Sequence, residues 1–481
     1  MQTFLFYDIE TTGLNKAFDQ VLQFAAIRTD LQLRELKRYE FKVKLNPDVV
    51  PSPQALLTHR ISIAEASLGI SEYAAIQQIH QIMNEPGTIS IGYNTLGFDD
   101  EFLRFAFYRN LLPPYTHQYA NECARIDLYP ITIMFHLFKK NILQWPRIEN
   151  ETKLKLELIN TTNSLVNGRA HDAMVDVEIT LAIAKRFMAE QEMWDYLTSY
   201  FNKQIDEARN ATLPVGLESA YGKHHEGLMV LGKIGAAYYF QAPVILLGNH
   251  AVYKNQAWLR LDTDALTSTT ADNIAVTTWV YRKKLGEPGF VLPLKDRFLN
   301  YLTQDRLAMA EKNKAWLQQH PEVFKQIVEY YRDFMYTVEP STDIDASLYI
   351  NTFWTREENA FCLQFHRAPP AEKVNLIAKI NNPTLKQLAV RLIGRNYPEL
   401  LTDQLKQEFT DYLARVNSDA SVNAVMDFKG KPRLTPQAAL MEIKTLRDKP
   451  LDPTQTQLLD HLESFLLDKL PQAWIQTKPG F

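Results

Sequence analysis

The chain has little cysteine. Only Cys123 and Cys362 occur in 481 residues, far apart and outside any C-x-x-C spacing. That excludes a disulfide scaffold and a thiolate metal site, and it predicts a reducing compartment. Long apolar runs are missing too. No stretch approaches about 18 consecutive apolar residues, and no basic segment leading into an apolar one opens the N-terminus, so no membrane span, no membrane partner and a cytoplasmic location are expected. Charge of one sign is also lacking. With 52 Lys+Arg against 56 Asp+Glu the net charge is −4, so no global basic field advertises a polyanion and any phosphate-binding surface has to be a local stripe. No internal repeat, low-complexity tract or heptad seam is visible, which excludes solenoids and coiled coils and leaves a monomer as the expectation.

What is present is the composition of a globular protein, 46% hydrophobic and 22% charged, long enough for about two to four domains. Strands are expected at the N-terminus, at Val21–Thr29 and at Glu35–Lys44, an antiparallel meander, before Pro47, Pro51 and Pro53 interrupt the chain. Beyond residue 71, helices at Ser71–Asn84, from Asp99 to about Asn110, at Ile131–Phe138, near Leu154–Asn160 and at Ala173–Gln191 alternate with strands at Thr88–Gly92 and Ala124–Leu128. The pattern predicts a mixed sheet covered by helices. Between Glu218 and Val291, short apolar runs (Leu228–Ile234, Val244–Leu247, Trp258–Leu261, Ala275–Tyr281) separated by turn residues predict a small all-β unit. Helix returns over Asp305–Phe334 and dominates residues 345–481.

The stretch around which the chain is organised is Phe4-Leu5-Phe6-Tyr7-Asp8-Ile9-Glu10-Thr11-Thr12-Gly13. Side chains alternate along a strand, so Asp8 and Glu10 project to one face about 7 Å apart. Two carboxylates at the end of a buried strand repel each other and are costly to desolvate unless they share a cation. As hard oxygen ligands they suit Mg²⁺ or Mn²⁺. Solvated acids where a strand runs out into a turn would look the same. A third acid arrives at Phe98-Asp99-Asp100, where a loop enters a helix; Asp99 would sit near the sheet edge, while Asp100 competes for the role or serves as a first-turn acid. In Ala170-His171-Asp172-Ala173-Met174-Val175-Asp176, His171 and Asp176 would differ by about 140° if both were helical. His171 is therefore expected on the loop before the helix, Asp176 on the helix, and Asp172 as its N-cap.

Taken together, Asp-x-Glu on a first strand, Asn-x-x-x-Phe-Asp entering a helix and His-x-x-x-x-Asp at the last helix resemble the DEDDh exonuclease superfamily. Within it, Gly92-Tyr93-Asn94, Phe98-Asp99-Asp100-Glu101, Phe107-Tyr108-Arg109-Asn110, Ile344-Asp345-Ala346-Ser347-Leu348-Tyr349 and Arg395-Asn396-Tyr397-Pro398 look like bacterial exonuclease I over nearly the whole chain. The resemblance implies an α/β multidomain fold: a ribonuclease-H-like nuclease domain (1–192), an SH3-like β-rich domain with helical additions (193–343) and a C-terminal helical domain (344–481). It also implies single-stranded DNA degraded from the 3′ end to 5′-mononucleotides in DNA repair and recombination, with two Mg²⁺ ions for which Mn²⁺ can substitute. Asp8 would bridge the ions, with Glu10 and Asp176 on the ion carrying the nucleophilic water, Asp99 positioning the other and His171 as general base. Thr11 and Leu14 would contact the terminal nucleotide and Lys155 the strand, although Leu14 reads equally as core and Lys155 as a solvated lysine. Three departures from the family pattern fall near the expected nucleotide pocket: Thr12 in place of an aromatic residue, His59 where Gly is frequent, and Lys155 where Arg is expected.

Single strands are held by basic grooves with aromatic platforms. Candidates are Lys223-His224-His225 beside Tyr221, Arg282-Lys283-Lys284 beside Trp279 and Tyr281, and Lys429-Gly430-Lys431-Pro432-Arg433 beside Phe428. The resemblance further implies docking of the acidic, apolar C-terminal tail of single-strand-binding protein, with a groove near Tyr196 as one location. An exoribonuclease with the same site and a catalytically idle nucleic-acid-binding protein are the alternatives. The second would lose a metal ligand, and all four acids and the histidine are present.

Overall fold

The structure, a computed structural model, describes residues 1–351, 353–418 and 424–470. β1 (Thr3–Thr11), β2 (Val21–Thr29) and β3 (Glu35–Lys42) form the expected antiparallel meander, and β4 (Thr88–Gly92) and β5 (Ala124–Asp127) add to its other side in parallel. The order β3-β2-β1-β4-β5 is the ribonuclease-H-like arrangement and puts β1 at the centre. A central strand is covered on both faces, which is why Phe4 to Tyr7 read as one apolar run rather than an alternation.

Helices cover the two faces unequally. α1 (Pro53–His59) and α2 (Ile63–Ser67) lie in the stretch expected to be interrupted by prolines. Pro53 instead occupies the first helical turn, where its missing N–H leaves no bond unmade, and the Ser52 hydroxyl caps the helix. α3 (Glu72–Met83) and α4 (Asp99–Arg109) pack on the side of Leu5, Tyr7 and Ile9. α5 (Leu128–Phe138), α6 (Leu156–Asn163) and α7 (Ala173–Met188) cover the side of Phe4 and Phe6, with the Phe135 and Phe187 rings stacked at 4.1 Å between centroids. Asp8 and Glu10 continue the even-numbered face of β1 and are thereby aimed toward α7. A two-residue ribbon, β6 (Arg147–Ile148) with β7 (Glu151–Thr152), precedes α6.

α8 (Gln191–Thr198) and α9 (Lys203–Ala211) lead into a second, antiparallel sheet. It comprises β8 (Val215–Ser219), β9 (Gly222–Val230), β10 (Gln241–Asn249), β11 (Gln256–Arg260), β12 (Val280–Lys283) and β13 (Phe290–Leu292), ordered β12-β11-β10-β9-β13 with β8 on β9. Two expected strands are shorter than their apolar runs. Ile274–Thr277 is a helical turn, so only Val280–Lys283 pairs, and β9 stops at Val230 before a 3₁₀ turn over Gly232–Ile234. Leu228, Val230, Phe290 and Leu292 share one core with α5 and α7, so packing is continuous across residue 192.

The segment expected as one helical stretch, Asp305–Phe334, is two helices, Gln304–Gln319 and Pro321–Asp333, with Pro321 opening the second. The remainder is helical, from Arg356–Arg367 to the closing hairpin Pro436–Arg447 and Pro453–Asp468. Residues 471–481 of the expected third domain lie outside the described residues. The hairpin packs Leu440, Ile443 and Leu459 against Leu56 and Leu57 of α1. Deeper in, Asp48, 1% exposed, accepts from Arg395 Nη2 (2.7 Å), Tyr412 Oη (2.7 Å) and Arg433 Nη2 (3.0 Å). Burial alone would raise its pKa, but the two guanidiniums hold the carboxyl well below the usual carboxylate range. Among the described residues, no helix is long and apolar enough to cross a membrane.

Candidate active site

Each acid reaches the site from a different element. Asp8 and Glu10 come from the end of β1, opposite Ala25 and Gln23 of β2, and a register shift between Glu10 and Thr11 precedes the last pair, Thr11 with Val21. Asp99 is the first residue of α4. Asp176 sits in the first turn of α7. His171 lies on the loop before α7 with φ of 60°, outside the helix, and Asp172 caps the helix by accepting from Met174 N at 3.1 Å. This is the placement the five-residue spacing required. One candidate ligand atom each from Glu10, His171 and Asp176 lies within 4.8 Å of the others. The His171 backbone N–H also supports the Asp176 carboxylate.

The electrostatics are those of acids crowded without a counter-charge. Burial, then Asp99, Asp176 and Glu10, push Asp8 well above its ordinary value. Glu10 is pushed up to about 9 by burial and by Asp176 and Asp99. Asp99 goes up to about 8, chiefly by burial, and Asp176 to about 7, by burial and Glu157. Asp99 is 4% exposed, and its Oδ1 is buried with no hydrogen-bond partner. A buried carboxylate oxygen left without a donor is expensive. Together with three further oxygen donors it fits a site for hard divalent cations.

Asp100 is not part of this cluster. It accepts from Arg104 Nη2 (2.7 Å), His117 Nε2 (3.0 Å) and Arg125. Against its burial, Arg104 and Arg125 hold it below the usual carboxylate range. Of the two adjacent acids, Asp99 faces the other carboxylates and Asp100 anchors the helix.

The loop after β1 is held tightly. The Thr11 hydroxyl donates to Gly13 O (2.8 Å), so only its backbone is free for a ligand. Thr12 is fully buried and donates to Asp19 Oδ1 (3.0 Å), which explains how a threonine replaces an aromatic residue here: it ties the loop from within. Leu14 is 80% exposed beside this loop, which rules out the core alternative. Lys16 reaches across to Glu101 Oε2 at 2.6 Å, and Asn15 Nδ2 donates to Asp427 Oδ2 at 3.1 Å. His59 is buried at the end of α1, and its Nδ1 accepts from Ile61 N. Burial and the neighbouring Arg169 push its pKa down to about 4, so it is neutral. The left-handed conformation that favours Gly falls on the next residue, Arg60 (φ 59°), not on His59. Arg60 donates to Asp452 Oδ2 at 2.6 Å, which joins α1 to the closing hairpin.

Asp8, His171 and Asp176 open onto a cleft of about 860 Å³ between the two sheets. Lys153, Lys155, Lys233 and Lys284 line it with Tyr93, Tyr129 and Tyr281. Lys155 is largely exposed and 3.8 Å from Glu157, held at the cleft by its place at the start of α6, and the Tyr93 hydroxyl donates to Leu154 O (2.6 Å). Asp127, absent from the sequence reading, accepts from Asn94 N and Tyr129 N and thereby fixes the β4–α4 loop. Its signal was a single acid at a strand end followed by a helix. The three basic clusters divide. Lys284 and Tyr281 face the cleft, but Lys283 is buried on Asp206 (2.7 Å). Arg433 is buried on Asp48, while Lys429 lies over the Phe428 ring. His224 is buried between Leu246 O and Ser219, on a hairpin that does not line the cleft.

The family model described as "Exonuclease" matches residues 5–184, and the one described as "Exonuclease I C-terminal domain" matches residues 342–468. The chain belongs to the exonuclease I family. Exodeoxyribonuclease I of Escherichia coli is 29% identical over 447 residues, 86% of this chain and 90% of that protein. Its Haemophilus influenzae counterpart is 26% identical over 401 residues, 78% and 81% of the two chains. Among solved structures, E. coli exonuclease I in complex with a dA16 oligonucleotide superposes with a TM-score of 0.83 at 23% identity, and a moderately thermophilic exonuclease I from Methylocaldum szegediense with 0.84 at 23%. Each match covers 98% of this chain and all of the other. Like its family, the chain is an exonuclease with an α/β nuclease domain and a helical C-terminal domain. The four-acid cluster lies within the segment that the nuclease model matches.

Proposed function

We propose that this exonuclease I family member removes 5′-mononucleotides from the 3′ end of single-stranded DNA in repair and recombination, using Asp8, Glu10, Asp99 and Asp176 to hold two divalent ions and His171 as general base. The observation that carries the reading is that Asp8, Glu10, Asp99 and Asp176 repel one another in one buried site, Asp99 with an orphaned oxygen and Glu10 and Asp176 within 4.8 Å of His171, at the head of a lysine- and tyrosine-lined cleft. Mg²⁺ is the ion that all-oxygen ligation favours, and Mn²⁺ can replace it. When bound, the ions supply Lewis-acid stabilisation of the charge that develops on the phosphoryl, attacking and leaving oxygens.

The chain's own residues do the rest. His171, held off the helix by its left-handed backbone, is free to approach the reacting phosphate and take a proton from water. Leu14 offers an exposed apolar face for the terminal base, and the Thr11 backbone contacts the sugar end. Lys155 and Lys284 neutralise phosphates along the cleft while Tyr281 and Tyr93 offer stacking faces. The central sheet is read as the SH3-like domain, with units at 1–192, 193–343 and 344–481. The partner surface for a single-strand-binding-protein tail is read at Tyr196, 41% exposed, whose ring carries the Arg209 guanidinium at 4.1 Å. A monomer in the cytoplasm completes the reading.

The deciding experiment follows 3′- and 5′-labelled single-stranded DNA, and RNA of the same sequence, with and without Mg²⁺, for wild type and Asp8→Ala. Mg²⁺-dependent release of the 3′ label as mononucleotide from DNA, lost in the variant, is the expected result. Faster release from RNA would establish the exoribonuclease instead. Tight binding without turnover would establish an idle nucleic-acid-binding protein. For the tail, an Arg209→Ala variant should bind the acidic peptide more weakly.

A further inference from the structure

One acid on the cleft wall is out of place. Glu287, side chain 22% exposed, faces the cleft among lysines that would hold a polyanion, where a free carboxylate would repel the ligand. It is not free. Glu287 Oε1 accepts from Arg125 Nη2 at 2.6 Å, and Arg125 Nη1 donates to Asp100 Oδ2. Arg125 comes from β5 of the nuclease sheet and Glu287 from the turn after β12 of the central sheet.

Both ends of this link are rigid. At one end Asp100 is buried against Arg104 and His117 and adjoins Asp99 at the start of α4. At the other, Lys283 Nζ, fully buried, donates to Asp206 Oδ2 (2.7 Å) and to Glu287 O (2.9 Å). Gly286 N donates to the same Asp206 oxygen (2.9 Å) with φ of 76°, a backbone that suits glycine, and the Tyr281 hydroxyl closes on Pro288 O (3.1 Å). The turn that presents Lys284 and Tyr281 is therefore stiff in itself. Near the cleft, the Arg125–Glu287 pair ties it to the helix that carries Asp99. A planar guanidinium that donates one nitrogen to each of two carboxylates has a fixed span, unlike a lysine contact.

We propose that Arg125 and Glu287 are positioning residues that set the spacing between the four-acid site and the strand-gripping wall of the central sheet, so that a threaded strand presents its scissile phosphate in register after each step. The inference rests on the nuclease reading. Without the strut, the shared core still joins the two sheets and the wall still binds, but the turn bearing Lys284 and Tyr281 loses its tie to the head of α4 beside the cleft. Successive cleavage of a long strand suffers, whereas a substrate confined to the four-acid site does not sense the wall.

The test compares wild type with Glu287→Gln, and with Glu287→Asp as the conservative variant. One substrate is a single-stranded DNA 50-mer under single-encounter conditions with a heparin trap. The other is the p-nitrophenyl ester of thymidine 5′-monophosphate, which ends at the reacting phosphate. For Glu287→Gln, at least fivefold fewer nucleotides should be removed per encounter and KM for the 50-mer should rise, while kcat/KM for the ester stays within twofold. Glu287→Asp should recover part of the run length. Equal losses on both substrates, or no loss on the 50-mer, would overturn the strut. Failure of wild type to hydrolyse either substrate would overturn the nuclease reading instead, and a melting curve of each variant separates both results from misfolding.

Discussion

Replacing Glu10 by Gln should stabilise the metal-free protein while abolishing nuclease activity. The carboxyl of Glu10 is pushed from an ordinary 4.5 to about 9, by burial first and then by Asp176 and Asp99. A raised carboxyl pKa means that the folded state holds the proton more tightly than the unfolded one. Its contribution is therefore fully present below pH 4.5 and is lost as pH rises toward 9. At pH 8 the ceiling on this cost is about 5 kcal/mol, at 1.36 kcal/mol per pH unit. Because Asp8, Asp99 and Asp176 share the same repulsion and adjust their protonation in turn, about 2 kcal/mol is the realistic figure. If the nuclease unit melts on its own, that is about 4–8 °C. The assay is thermal unfolding of wild type and Glu10→Gln in EDTA and in Mg²⁺ at pH 5 and pH 8. The two proteins should melt together at pH 5 in EDTA and separate at pH 8 with the variant higher, and Mg²⁺ should raise wild type far more than the variant. A variant that melts at or below wild type in EDTA at pH 8, or that gains as much from Mg²⁺, would refute the account of the site as a cation-starved carboxylate cluster.

Four further outcomes follow from the geometry. Asp99→Asn should abolish turnover without destabilising the fold. Asp100→Asn, which strands Arg104 and leaves Arg125 with Glu287 alone, should cost about 3 kcal/mol in denaturant unfolding. Asp48→Asn leaves Arg395 and Arg433 to share Asp345 with Arg391 and should cost about 3 kcal/mol. Because Asp48 is held below its ordinary 3.8, the wild-type clamp is present above that pH and is lost only as pH falls beneath it, visible as an acid transition that the variant lacks. Lys284→Ala should weaken binding of single-stranded DNA across sequences and reduce the slope of log K against log salt by about 0.7, measured by fluorescence titration.

Much of the site was legible because its determinants are local. Asp8 and Glu10 share a face by strand alternation, and the 140° offset forced His171 off the helix; both are matters of period. The choice between Asp99 and Asp100 was not legible, because it depends on Arg125 and His117, which only the folded sheet brings to Asp100. Thr12 and His59 read as departures at a nucleotide pocket, yet both side chains turn inward, Thr12 to Asp19 and His59 to the backbone of Ile61. Prolines 47, 51 and 53 read as a break because Pro cannot continue a helix, although it suits the first turn of one; the Ser52 cap was the missed cue. The basic clusters failed as units for the same reason. Lys283 ends β12 and turns inward to Asp206, whereas Lys284 lies in the turn beyond it and faces the cleft, so the two cannot share a role. Ala275–Tyr281 was over-read because apolar content alone does not separate a helical turn from a strand.

The grip of the last third of the chain on the first carries a consequence for how the protein is made. Asp48 and the loop around Asn15 are held by Arg395, Arg433 and Asp427, and 385 residues separate Asp48 from Arg433. At about 5–20 residues per second, a ribosome takes roughly 20–80 s to span that interval. Over the last 257 residues of it, from Asp176 to Arg433, the four clustered acids have already been made, but the loop carrying Thr11 and Leu14 has no support. A nascent chain is therefore a poor nuclease, and competence arrives only when synthesis is nearly complete.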